Sequence, residues 1–194
     1  MKQPEPTSFD ALISQGMTAS RANDGVEAIA WFQRASTAQP GAGLPQFLLG
    51  AEFAALGNMA QAEAALANAT RLAPGFPMAR YQLGLLQFSS GRAAMAVLTW
   101  QPLLSLPDTD PLPHFVNGFV ALAQDRFDEA LRHYQQGLAL NTTNEALSSD
   151  IEKVIAGIKA LTPSVCAAES EDASHDDPDN HVLLANYQQQ GRAH

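Results

Sequence analysis

Residues 44–74 read LPQFLLGAEFAALGNMAQAEAALANATRLAP. Apolar residues recur at helical intervals on either side of Gly57-Asn58, which supply turn chemistry, and Pro74 closes the stretch. The reading is a helix, a tight turn, a second helix and a stop. The same frame returns at a shift of 34 residues, with glycine at Gly16, Gly50, Gly84 and Gly118 and alanine at Ala28, Ala62, Ala96 and Ala130. With 13 glycines in 194 residues, chance would supply the last three of the glycine series roughly three times in ten thousand. Sixteen residues after each glycine stands a large side chain, Phe32, Leu66, Trp100 and Tyr134, and three further on come Ala35, Ala69, Leu103 and Gly137. A loop column follows, read as Pro40, Pro74, Asp108 and Thr142.

Each column has a physical reason. Small residues at the glycine and first alanine columns let two antiparallel helices approach closely, and the large residue fills the space they leave beside the next unit. Asn23-Asp24-Gly25, Gly57-Asn58, Gly91-Arg92 and Asp125-Arg126 fall in one column, where a left-handed turn favours glycine, asparagine or aspartate. The pattern Leu49-Gly50, Ala62, Leu66 and Pro74 resembles the tetratricopeptide repeat over about residues 8–142. The helix-A tryptophan of that family is replaced by Leu12, Gln46, Arg80 and His114, and its tyrosine column reads Ala19, Phe53, Gln87 and Ala121. The repeats are therefore divergent. The resemblance implies an all-α, tetratricopeptide-type α-α superhelix (solenoid) of four helix pairs, right-handed and without β-sheet, because a unit of this kind is stable only when stacked on its neighbours.

The frame predicts an N-terminal extension over 1–7 and repeats at about 9–42, 43–76, 77–110 and 111–144. The predicted helices are 8–22, 25–38, 44–56, 59–72, 77–90, 92–106, 111–124 and 127–140. Pro102 falls inside the sixth and crowds the carbonyl of Leu98, so a kink or early stop is expected there; Pro111 behind Asp110 suits the start of the seventh. Thr142 and Glu145 have capping-box spacing, and Leu147, Ile151, Val154, Ile155, Ile158 and Leu161 then mark a ninth, capping helix over 143–162 that stops before Thr162-Pro163. Residues 163–194 read as an acidic, disordered tail: Glu169 to Asp179 holds six acids and no lysine or arginine, and Val182, Leu183, Leu184 and Tyr187 form a short apolar segment able to fold back on the groove as a plug.

Net charge is −9, from 11 basic and 20 acidic residues, with no basic stripe; this argues against nucleic acid and anionic membrane as partners. No apolar run suits a secretory signal or a membrane span, and the single Cys166 forms no internal disulfide, so the expected compartment is the cytoplasm. Catalytic, metal and cofactor sites are not expected. Cys166 lacks a setting that lowers its pKa, the His175–His181 tract reads as solvated charge, His114 and His133 have no partner at meaningful spacing, and the glycines follow the repeat frame rather than a phosphate loop.

Function is then sought on a surface. In tetratricopeptide proteins the first helix of each pair lines a concave groove, through positions six and three before the glycine and one and four after it. Here these read Asp10, Ile13, Met17 and Ser20; Leu44, Phe47, Ala51 and Ala54; Met78, Tyr81, Leu85 and Phe88; and Leu112, Phe115, Phe119 and Leu122. From the second unit onward the inferred groove is apolar and aromatic, which excludes the basic clamp that grips a C-terminal carboxylate and suits an apolar or amphipathic protein segment. The alternative is that inter-repeat packing buries several of these residues. The candidate site is Phe47, Ala51, Met78, Tyr81, Leu85, Phe88, Phe115, Phe119 and Leu122, and the expected role a non-catalytic, protein-binding adaptor. The alternatives are a chaperone for an aggregation-prone secreted or assembling subunit, a regulatory subunit of an enzyme complex, and self-association through groove or tail.

Overall fold

The computed structural model describes residues 8–168. The extension 1–7 and residues 169–194, with their acidic run and apolar segment, lie outside the described residues. The elements are α1 (Phe9–Arg21), α2 (Gly25–Ala38), α3 (Gly43–Ala55), α4 (Met59–Leu72), α5 (Pro77–Ser89), α6 (Ala93–Trp100), a 3-10 segment (Gln101–Ser105), α7 (Pro111–Leu122), α8 (Phe127–Leu140) and α9 (Glu145–Ala168). No strand occurs among the described residues, which divide between Gln87 and Phe88 into two compact units.

The turn column is the sharpest agreement between pattern and backbone. Asn23 (φ 58°), Gly57 (78°), Gly91 (76°) and Asp125 (55°) all adopt the left-handed conformation, the region that glycine enters freely and asparagine or aspartate at small cost. The residue after each, Asp24, Asn58, Arg92 and Arg126, caps the second helix of its pair. Only the first does so with its side chain, the Asp24 carboxylate accepting from Glu27 N–H at 3.0 Å.

In the first unit α1 packs on α2, α2 on α3 and α3 on α4. The column residues are the core: Ala28, Phe32, Ala35, Ala62 and Ala69 are fully buried, and Leu66 nearly so. A methyl group on Gly16 would clash with the edge of the Phe32 ring, and one on Gly50 would lie 2.6 Å from Leu66 Cγ; the close approach is made by absence of a side chain. Trp31, half-buried, donates its indole N–H to Glu27 at 3.2 Å beneath the Arg34 guanidinium, 4.5 Å from the ring.

In the second unit α7 pairs with α8, and α8 with α9. Trp100 is fully buried and stacks on Phe119 at 5.4 Å; Phe119 also meets Phe88 at 5.2 Å and Tyr134 edge-on at 5.3 Å. Such offset and edge contacts add to the burial of large apolar area.

One local feature follows the expectation at Pro102, and two at the ninth helix depart from it. The predicted helix 92–106 is an α-helix only to Trp100 and tightens into the 3-10 segment, with Pro102 at its second residue; lacking an N–H, Pro102 cannot donate to Leu98 and the α-ladder ends there. The cap of α9 is Asn144, not Thr142. Its side-chain oxygen accepts from Leu147 N–H at 3.1 Å, while Asn141 donates to Asn144 O at 2.7 Å and Ser148 Oγ at 2.8 Å. The helix also continues through Pro163 to Ala168, taking in Cys166, since a proline forfeits its own donor but residues beyond it still reach earlier carbonyls. Asp110 caps α7 ahead of Pro111 as expected, accepting from Leu112 N–H at 2.9 Å.

Candidate interaction surface

The groove-face stripe survives on α3. Leu44, Phe47, Ala51 and Ala54 recur at i, i+3, i+7 and i+10, one face of a helix; Leu44 and Ala51 are exposed, Phe47 and Ala54 half-buried. Phe47 is steadied edge-on by Phe76 at 4.9 Å, which leaves part of its ring open beside the half-buried Phe76. On α5, Met78 and Leu85 are half-buried in the same repeat positions. Ile13 and Met17 of α1 are also half-buried, packed against the first unit's core.

The other five residues of the expected groove are not surface. Tyr81, Phe88, Phe115, Phe119 and Leu122 are buried. Phe119 belongs to the aromatic cluster with Trp100, and the Phe115 ring occupies the space that Gly137 leaves without a side chain. The open apolar and aromatic face expected from the second repeat onward is therefore narrowed to Phe47, Ala51, Met78 and Leu85. The physical reason is visible in α7 itself, where Pro113, Val116 and Ala121 are buried as well; a helix apolar on all sides is a buried helix. That all-round apolarity was the sequence signal for burial.

Three of the positions where the aromatic family columns are missing carry polar cross-links instead. Gln46 donates to Ser36 Oγ at 2.8 Å, buried Gln87 donates to Glu63 at 3.3 Å, and the His114 ring meets Asp108 O at 3.2 Å.

His133 is set apart by its surroundings. Its Nε2 lies 3.9 Å from Glu129, which is itself bound by Arg126, and its Nδ1 is buried with no hydrogen-bond partner. Desolvation holds its pKa below the ordinary 6.5, opposed by the Glu129 charge and reinforced by His114, Arg132 and Arg126. The expectation that this histidine has no carboxylate at meaningful spacing is corrected by Glu129, which stands one turn before it. No cluster of three or more metal-ligating side chains occurs among the described residues, and no described helix is long and apolar enough to cross a membrane.

Residues 47–101 match the family model "Tetratricopeptide repeat". Among solved structures, the chain is similar to TTC0263, a thermophilic tetratricopeptide-repeat protein of Thermus thermophilus, at 21% identity and a TM-score of 0.63 over 80% of this chain and 84% of that one. It is similar to MamA at 20% identity and 0.58, over 70% and 80%, and to the Cut9–Hcn1 hetero-tetramer of the APC/C at 21% and 0.71, over 96% of this chain and 33% of that one. No curated protein matches the chain. Residues 47–101 carry tetratricopeptide-repeat sequence, and the described residues have the all-α fold of that class, one that generally serves protein–protein interaction.

Proposed function

We propose that this chain is a non-catalytic adaptor that receives an apolar or amphipathic segment of a partner protein on the first helices of its second and third repeats. The observation that carries the reading is the accessible stripe Leu44, Phe47 and Ala51 on α3. The equivalent residues of the fourth repeat, Leu112, Phe115 and Phe119, are buried, so apolar side chains at these positions are not open by default. Phe47 is the anchor, an aromatic ring held in one orientation by Phe76; aromatic anchors dominate binding energy at protein interfaces. Met78 and Leu85 add adaptable apolar area on α5. The groove positions of α3 and α5 carry no lysine or arginine, so the segment is recognised by its apolar face and not by a terminal carboxylate. A lone cysteine suits a reducing compartment such as the cytoplasm.

The test is affinity capture with the wild-type chain and with Phe47→Ser combined with Leu85→Ser. Loss of the captured partner at unchanged helicity and melting supports the proposal. Equal capture by both overturns it.

A further inference from the structure

The second unit shows water an apolar strip that the repeat frame does not require. Leu98 is 65% exposed, Met95 50% and Leu104 44%. Shifted by 34 residues either way, the Met95 column reads Glu27, Gln61 and Glu129, the Leu98 column Ala30, Ala64 and Arg132, and the Leu104 column Ser36, Thr70 and Leu138. Apart from the half-buried Leu138, the same outward positions are polar or small in the other repeats, so the three-residue strip is particular to α6 and its 3-10 extension. Pro102 contributes to it. At about 100° per residue an α-helix would turn Leu104 roughly 120° from Leu98, whereas about 120° per residue after Trp100 brings the two within roughly 40°. Exposed apolar side chains gathered in this way mark a surface that something covers.

Charge says what. From Ala64 to Pro107 the chain contains no acidic residue and three arginines, the last being Arg92 at the start of α6. Past Ala168, residues 169–179 carry six acids and no lysine or arginine, followed by Val182, Leu183, Leu184 and Tyr187. Acid before apolar in the one matches base before apolar in the other: Arg92 and the N-terminus of α6 come first, Met95, Leu98 and Leu104 after. Thirteen residues separate Ala168 from Val182, enough to span at most about 45 Å, against a radius of gyration near 12 Å for a unit of this length.

We propose that the strip Met95, Leu98 and Leu104 is the docking surface for this chain's own segment 182–187, with the acidic run 169–179 drawn to the Arg92 end of α6.

Hydrogen exchange on the full-length chain tests it, with three proteins compared: wild type, Leu98→Asp and Phe47→Ser. Amides of 182–187 are expected to exchange at least about tenfold more slowly than free chain in wild type and in Phe47→Ser, and at the free-chain rate in Leu98→Asp. Leu98 is largely exposed, so the aspartate should leave melting unchanged and the readout interpretable. Free-chain exchange in the wild type overturns the proposal. So does protection lost in Phe47→Ser but kept in Leu98→Asp, which would place the segment on α3. Protection that rises with protein concentration overturns the intramolecular assignment in favour of a neighbouring copy's tail.

Discussion

Residue by residue, burial separates side chains that the sequence pattern had grouped together. Tyr81 and Phe119 share a repeat face with Phe47, yet both are buried and Phe47 is not. Tyr81→Ser or Phe119→Ser is therefore expected to cost about 3 to 5 kcal/mol, the range for truncating a buried aromatic, while Phe47→Ser leaves the melting temperature within a degree or two; thermal unfolding of the three variants checks this. Trp100→Ala should fall in the costly group for the same reason. His133 gives the molecule a pH dependence of known sign. Its folded-state pKa lies below the ordinary 6.5 because burial disfavours the charged form. The unfolded chain thus binds the proton more readily, and the stability that neutral His133 contributes is present above about pH 6.5 and lost as pH falls through its folded value. Melting measured from about pH 7 down to 5 should decline more steeply in wild type than in His133→Gln. Parallel curves would show that the Glu129 charge cancels the desolvation.

At the scale of the element, pair geometry was legible and face exposure was not. Eight helices and their turns follow from columns of small, large and left-handed residues, because those columns report contacts inside a pair and backbone conformations that few residue types adopt. The groove assignment rested on spacing alone, and spacing fixes which residues share a face without saying what lies over it. For α7 the missing information was in its composition, since His114 and Asn117 are the only polar side chains from Pro111 to Leu122. The ninth helix shows the same limit, as Thr142 offers the right spacing for a cap but Asn144 makes the bond. Pro102→Ala is the informative change here. It restores a donor facing Leu98 O, so the residue-102 amide is expected to become protected from exchange and α6 to lengthen, with Leu103 still in the packing column. A 3-10 segment that persists would mean that burial of Leu103, not the proline, sets its geometry. Ala62→Leu should cost about 1 to 3 kcal/mol by overpacking the α3–α4 pair, read from the denaturant midpoint.

For the whole molecule, the chemistry is distributed unevenly along the chain. Acidic residues are absent from the middle and dense in the last 26 residues, while accessible apolar side chains include Leu44 on α3 in one unit and Met95 and Leu98 on α6 in the other. The adaptor reading uses the first, and the tail proposal the second. The same division gives each unit its own lamp. The chain has two tryptophans, Trp31 half-open to water in the first unit and Trp100 sealed against Phe88 and Phe119 in the second. Emission from a Trp31→Phe variant should lie further to the blue and resist iodide quenching, while a Trp100→Phe variant should emit to the red and be quenched readily. Partner engagement at Phe47 and loosening around Phe119 can then be followed in separate colours of the same molecule, without attaching any label.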